Sequence, residues 1–463
     1  MAKNNLVFDA GTIRLDLENI EDFPIRLADI FKFDPRSNTF RARACDYART
    51  VLTLRETGFP FHDRVKNCSP LPELHIHGEL RPHPHQKTAL TRWIEHGCRG
   101  VVSLPTGAGK TILAVMAIAH LRRPALVLVP TIELLTQWCS TLERFFRCPV
   151  GMLGGGSREI LPLTVSTYDS AVLQMEFIGN RFTFLIADEC HHLPGAGFQL
   201  AAAMAIAPFR LGLSATLEMD DERKNTLQTL MGETVCSIGI DELEGNILSN
   251  YQVKRLFVHL SAAENSAYRE QRAIYTAFLN RYGISMANAN GWRNFLIACV
   301  RQPGGKAAFN AFLNQRRIAR AGRAKMELLK SILLEHAGER ILIFTADNDS
   351  AYEIGRTFTL PVVTHHTKSA ERKEFLDAFR AGTYPVLVTS KVLNEGVDIP
   401  SAAVGVVFSG SGSVREHVQR LGRILRPAPG KTQAMLYELV SAGTSEEYTS
   451  GKRREHRAYR RKY

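Results

Sequence analysis

VVSLPTGAGKT, from Val101 to Thr111, is the stretch on which the rest of the chain is organised. An apolar run that predicts a buried strand enters a Gly-rich turn, and LAVMAIAHL (residues 113–121) then reads as a helix. That strand–loop–helix order is the setting a P-loop requires. Gly107 and Gly109 let the backbone curl so that its N–H groups point at phosphate oxygens, and the helix N-terminus adds partial positive charge. In this reading Lys110 reaches the β- and γ-phosphates and the Thr111 hydroxyl holds Mg²⁺. Leu104 stands where the strict pattern has its first glycine.

A second motif lies 78 residues beyond Lys110. FLIADECHH predicts a buried strand ending at Ile186, which leaves Asp188 and Glu189 at the C-terminal edge of a sheet, where ligands of open α/β folds collect. Asp188 is expected to hold Mg²⁺ through water and Glu189 to orient or deprotonate the attacking water. Ser214, Ala215 and Thr216 follow as a third motif, and His191 and His192 are read as coupling the nucleotide to it, in preference to binding zinc.

The 463 residues suggest roughly three domains, and 45% hydrophobic residues supply several cores. No apolar run reaches the roughly 18 residues of a membrane helix, and MAKNNLVFDA has no signal-peptide core, so a soluble, non-secreted chain with no membrane partner is expected. Eight scattered cysteines without a CxxC pair read as buried, reduced thiols of an intracellular protein, and not as a disulfide framework, a zinc site or an iron–sulfur cluster. His75, His77, His83 and His85 cluster locally, but no Cys or acid completes a metal set.

The net charge of +12 is uneven. Tyr251 to Arg323 carries twelve Lys/Arg against two acids, and Thr449 to Tyr463 carries seven against one, which leaves the remainder mildly acidic. Two basic zones on an acidic body suggest a nucleic-acid track, with a solvated helix face as the other reading of either zone alone.

Taken in order, residues 1–76 alternate apolar and polar and then show helical spacing at Ala44, Tyr47, Val51 and Leu54, which suggests a small α+β domain. Residues 77–240 alternate apolar strands with helices, the pattern of a parallel sheet. Residues 241–463 begin with a strand in YQVKRLFVHL. They continue through a helical, basic, aromatic insert of about 262–323, turning at Gly304-Gly305, and resume strands in RILIFTAD, VLVTSKVLNEGVDIP and AVGVVFSG. Tyr268, Tyr275, Phe278 and Tyr282 keep 3–4 spacing and are expected mostly in the core. Arg423 and Arg426 share one helix face in QRLGRILRP and could act as arginine fingers.

With GAGKT, DECHH, SAT, NEGVDIP and QRLGRILR in this order, the chain resembles superfamily 2 helicases, and most of all the XPB family in its compact archaeal form. The resemblance covers nearly the whole length. It implies two RecA-like parallel-sheet domains, an N-terminal damage-recognition-like domain and a thumb-like insert. The implied activity is ATP-driven 3′–5′ translocation on, or unwinding of, DNA in repair or transcription, with ATP and Mg²⁺ as cofactors.

By the same resemblance Gln86, Thr106, Gly107, Ala108, Gly109, Lys110, Thr111, Asp188 and Glu189 line the nucleotide, Gln86 reading the adenine. Gly396, Asp398, Arg423 and Arg426 face it from the second core. Pro130, Thr131, Thr167, Thr345, Thr389 and Ser390 match positions that contact the DNA strand. The expected partners are single-stranded and forked or damaged duplex DNA and a nuclease, with the motor a monomer associated with the nucleoid if the cell is prokaryotic.

Two departures count. The family's Arg-Glu-Asp element is Met219-Asp220-Asp221 here, which puts strand separation in doubt but not translocation. HPHQ (residues 83–86) replaces the usual RPYQ, which puts the adenine contact in doubt. Two other readings stay open, a double-strand DNA translocase with weak unwinding and a DNA-damage-binding module with little ATPase activity.

Overall fold

The computed structural model describes residues 4–71, 74–217, 219–243, 251–288, 290–390, 402–410 and 434–453. Met1–Gly239 and Ile240–Tyr463 are two compact units. Gly396, Asp398, Arg423, Arg426 and tail residues 454–463 lie outside the described residues.

The first unit opens with the alternating segment predicted at the N-terminus. Strands β1 (Asn5–Asp9), β2 (Thr12–Asp16), β3 (Lys32–Asp34), β4 (Thr39–Arg43) and β5 (His62–Arg64) form a sheet in the order β3-β4-β2-β1-β5. Ala10 and Gly11 join β1 to β2 with φ of +45° and +75°, the doubly left-handed turn that matches hairpin twist. A Cβ on Gly11 would lie 2.8 Å from the Met204 side chain, which would have to shift to admit it. Ala44, Tyr47, Val51 and Leu54 are all buried, the last three on helix α1 (Tyr47–Glu56), and they cover this sheet with Leu6, Ile13 and Leu15.

The chain continues through α2 (Pro84–Glu95), β6 (Arg99–Ser103), α3 (Lys110–Leu121), β7 (Ala125–Val129) and α4 (Ile132–Phe146). Next come β8 (Gly151–Gly154), β9 (Ser157–Arg158), β10 (Leu163–Thr167), α5 (Tyr168–Ile178), β11 (Phe184–Asp188) and α6 (Gln199–Ala203). The unit closes with β12 (Phe209–Ser214), α7 (Asp221–Met231) and β13 (Thr234–Ser237). The strands form one sheet ordered β13-β6-β12-β11-β7-β10-β8-β9, parallel except for the final pair. Every residue of β7 and β11 is buried, because helices cover both faces of such a sheet.

β11 extends two residues past Ile186, and Asp188 still pairs with Leu213 of β12. The carboxylate therefore sits on the last rung of the ladder and not in the following loop, a stiffer placement than the sequence suggested.

The second unit has α8 (Ile240–Leu243), β14 (Tyr251–Val258), and the basic helices α9 (Ala262–Arg281), α10 (Gly291–Arg301) and α11 (Gly305–Arg320). It continues with α12 (Arg323–Glu335), β15 (Ile341–Phe344), α13 (Asn348–Phe358), β16 (Val362–Val363), α14 (Ser369–Ala381), β17 (Val386–Thr389), β18 (Val404–Val407), β19 (Ala434–Ser441) and α15 (Ser445–Arg453). Its described strands form a wholly parallel sheet, β14-β19-β18-β15-β17-β16.

The aromatic stripe of the insert is core as expected. Phe278 and Phe295 are buried, and the Tyr275 ring meets Phe295 edge-on at 5.4 Å. Gly304, at φ +82°, turns the chain into α11. Tyr268 is buried too, and its hydroxyl accepts the Ser445 N–H at the start of α15. Beneath it the fully buried Lys325 pairs with Glu446 and donates to the Phe408 carbonyl, so its charge is matched where water cannot reach it.

Candidate nucleotide site and nucleic-acid contacts

The parallel order places the loops after β6, β7, β10, β11 and β12 at one sheet edge. The P-loop begins with Leu104, whose N–H donates to the Ser214 carbonyl at 2.9 Å and whose side chain is fully buried. That burial gives Leu104 a packing role where the strict motif has glycine. Gly107 and Gly109 have φ of +88° and +80°, and Lys110 opens α3. A Cβ on Gly109 would lie 2.1 Å from Gln86 Nε2, so the backbone passes against that side chain as only glycine allows.

Gln86 is 2% exposed. Its Nε2 donates to the Ala108 and Gly109 carbonyls at 3.0 and 3.2 Å, and its Oε1 accepts the His83 N–H. The carboxamide thus braces the loop, and in this arrangement its donor is spent on the loop and not held out for adenine. His85, where the family has Tyr, adds a ring-nitrogen contact to the Ala108 carbonyl at 2.8 Å.

Lys110 Nζ donates to Glu189 Oε1 at 3.2 Å, with both side chains nearly buried. Glu189 has φ +48°, a left-handed conformation unusual for this residue type and of the kind that collects at functional sites. Asp188 is 6% exposed. Burial, and then the Glu189 charge, push its carboxyl up to about 6, against the pull of Lys110, the Trp138 N–H and the Glu189 N–H. A divalent cation would reverse that balance.

His191 Nδ1 lies 3.0 Å from Ser214 Oγ and 3.5 Å from Glu189 Oε2. Ser214 gives its own proton to the Thr216 carbonyl at 2.6 Å, so His191 is the donor to Ser214. A polar line therefore runs from Lys110 through Glu189 and His191 to the Ser-Ala-Thr motif.

The residues fit a magnesium nucleotide. Hard oxygen donors at Asp188 and Thr111 suit Mg²⁺, which takes one or two carboxylates and leaves room for phosphate. The buried Thr106 hydroxyl has no hydrogen-bond partner among the described residues, and the first turn of α3 supplies unsatisfied N–H groups.

Pro130 follows β7, and Thr131 caps α4 by accepting the Leu134 N–H. Thr167 ends β10 and caps α5 in the same way through the Ser170 N–H. In the second unit Thr345, Thr389 and Ser390 are buried. The Thr345 hydroxyl donates to the Asp347 carbonyl and that of Thr389 to the Ser390 carbonyl, and the Thr345 N–H donates to the Thr389 carbonyl at 2.9 Å, so these groups tie the ends of β15 and β17 together.

Two residues that the sequence did not single out touch Asp188. Trp138 Nε1 donates to Asp188 Oδ2 at 2.8 Å, and the Tyr168 hydroxyl donates to the Asp188 carbonyl at 2.9 Å. The spacing of Leu135, Trp138 and Leu142 reads as plain core, but a buried indole N–H or phenol needs a partner, and that was the available signal.

Comparison with known proteins gives three family matches. Residues 6–65 match the xeroderma pigmentosum group B helicase damage recognition domain, residues 79–219 the type III restriction enzyme res subunit, and residues 324–428 the helicase conserved C-terminal domain. The chain is 36% identical to the DNA 3′-5′ translocase XPB2 of Sulfurisphaera tokodaii, over 92% of this chain and 95% of that one. It is 30% identical to the DNA 3′-5′ helicase XPB of Mycobacterium tuberculosis, over 77% of this chain and 60% of that longer one. The crystal structure of the Pyrococcus furiosus Hef helicase domain superposes with a TM-score of 0.52 at 18% identity, covering 81% of this chain and 98% of that one, a likeness of fold.

Proposed function

The chain belongs to the XPB family of superfamily 2 helicases, and on that premise we propose that it is an ATP-hydrolysing motor that moves 3′ to 5′ along DNA. The observation that carries this reading is the Lys110–Glu189 pair, 3.2 Å long, beside Asp188 at a left-handed P-loop. Lys110 exchanges Glu189 for the β- and γ-phosphates when a nucleotide lies on the loop, and the freed Glu189 carboxylate orients the attacking water. Asp188 and Thr111 would hold magnesium, which when bound would supply charge neutralisation on the phosphates. His191 senses the change at Glu189 and passes it to Ser214 and Thr216. Arg423 and Arg426 are proposed as arginine fingers on the γ-phosphate, and Gly396 and Asp398 as further nucleotide-binding residues.

Pro130, Thr131 and Thr167 are proposed contacts to the DNA strand, as are the turns at Thr345, Thr389 and Ser390. No helix among the described residues is long and apolar enough to cross a membrane, and a nucleoid-associated monomer working with a separate nuclease is the proposed setting.

The test is ATP hydrolysis with and without forked DNA, beside Glu189→Gln. DNA-stimulated hydrolysis that falls at least a hundredfold in the variant is expected. A wild-type protein that hydrolyses no ATP under either condition would move the weight to a damage-binding module.

One observation favours translocation with little strand separation. Met219 packs against the core of the first unit, and Asp220 is the N-cap of α7, accepting the Arg223 N–H at 2.9 Å. The element that separates strands in the family is here spent on a helix cap.

A further inference from the structure

Asp188 is gripped from two helices that both start at proposed DNA contacts. Its Oδ2 accepts the Trp138 indole N–H at 2.8 Å and its Oδ1 accepts the Glu189 N–H at 3.0 Å, so each oxygen has a donor and the plane of the carboxylate is set. Its main-chain carbonyl accepts the Tyr168 hydroxyl at 2.9 Å. Trp138 is 1% exposed, as is Tyr168, so neither donor has water as an alternative partner.

The origin of the two donors gives them meaning. Trp138 lies two turns into α4, the helix that Thr131 caps, and Tyr168 is the first residue of α5, the helix that Thr167 caps. β7 and β10, which lead into those caps, are neighbours in the sheet, and β11, which carries Asp188, lies on the other side of β7. An α-helix is stiff over two turns, so a displacement of either cap reaches Asp188 through one hydrogen bond. No P-loop residue stands in that path.

We propose that Trp138 and Tyr168 are positioning residues that hold Asp188 in its metal-binding orientation and tie that orientation to occupancy of the α4 and α5 N-termini by a DNA backbone. The inference rests on the motor reading above. It adds a route by which DNA changes magnesium-nucleotide affinity, separate from the route through Glu189, His191 and Ser214.

The experiment measures affinity for a fluorescent ADP analogue in EDTA and in magnesium, each with and without single-stranded DNA. Wild-type protein is compared with Trp138→Phe, which keeps an aromatic ring in the core, and Tyr168→Phe, which removes one oxygen. Affinity in EDTA is expected to be unchanged, whereas damaged packing would lower it together with the rest. The gain on adding magnesium is expected to shrink about tenfold in Trp138→Phe and about threefold in Tyr168→Phe, as befits a charged and a neutral hydrogen bond. The further effect of DNA on that gain is expected to shrink in each variant. Equal loss of affinity in EDTA and in magnesium overturns the proposal, as does a full magnesium gain with intact DNA dependence in both variants. Wild-type protein that binds no nucleotide at all overturns the motor reading along with it.

Discussion

Single residues of the nucleotide site divide into those whose chemistry names them and those whose surroundings do. Lys110, Thr111, Asp188 and Glu189 stand out in the sequence because few other tasks need those side chains in a strand–loop–helix and at a strand end, and the structure brings Lys110 and Glu189 to 3.2 Å beside Asp188. Trp138 and Tyr168 do not, since an aromatic at helical spacing looks the same whether or not its polar tip grips a carboxylate. Gln86 stands out by its position ahead of the P-loop, and in the structure its amide donates to the P-loop backbone. All eight cysteines are free thiols, but only Cys98, Cys139, Cys190 and Cys236 are buried, and the other four are half-buried. Burial pushes the Cys139 thiol up to about 11, and Cys190, fully buried beside Asp188 and Glu189, is raised further. An acid whose folded pKa is raised contributes stability that is complete below the unfolded value near 9 and is lost as pH climbs toward the folded one. The expected outcome is slow iodoacetamide labelling of Cys139 in native protein at pH 8, full labelling in urea, and a melting temperature that declines between pH 9 and 11. Rapid native labelling at pH 8, mapped by peptide mass, would contradict that placement.

Elements show where pattern reading succeeds and where it stops. β7 and β11 are short, wholly apolar and set between helices, so a parallel sheet follows almost directly. β5 has three exposed residues, His62, Asp63 and Arg64, and no apolar pattern to announce it; it exists because β1 offers an edge. The end of β11 was misplaced by two residues because Ala187 and Asp188 carry weak strand signals, and the ladder to β12 overrides them. The start of α7 illustrates the competition between a local cap and a functional element. Asp is a good N-cap and Glu a poor one, so Met219-Asp220-Asp221 suits helix initiation at the expense of the family's Arg-Glu-Asp. Converting Met219→Arg together with Asp220→Glu is expected to raise unwinding of a forked duplex severalfold while ATP hydrolysis stays within about twofold. The lost cap costs about 1 kcal/mol, seen as a melting temperature lower by a few degrees. Unchanged unwinding at unchanged hydrolysis would mean that this element does not limit strand separation.

For the whole molecule, charge carries the information that fold does not. The fold itself was legible at this scale, since the ordered motifs required two parallel sheets and the basic aromatic stretch required helices. The second unit's closing pair was not, because β14 and β19 are separated by almost the entire unit and no local pattern announces such a pairing. The basic excess, in contrast, can be read as sequence and tested as physics. Arg269, Arg293, Arg301 and Arg317 are all exposed on α9, α10 and α11, whereas Arg320 is half-buried and paired with Asp347. Exposed arginines with no ion-pair partner among the described residues are the ones available to displace counterions from a phosphate backbone, and each such contact on a single strand adds about 0.7 to the slope of log K against log salt. Replacing the four exposed arginines by alanine is therefore expected to flatten that slope by up to about 3 and to weaken binding at low salt without changing sequence preference. Replacing Arg320 instead would break its ion pair and lower stability with little change in slope. Fluorescence anisotropy with a labelled single strand across a salt series reads both variants, and a slope that the fourfold variant leaves untouched would make the insert a solvated helical face and move the DNA track elsewhere on the chain.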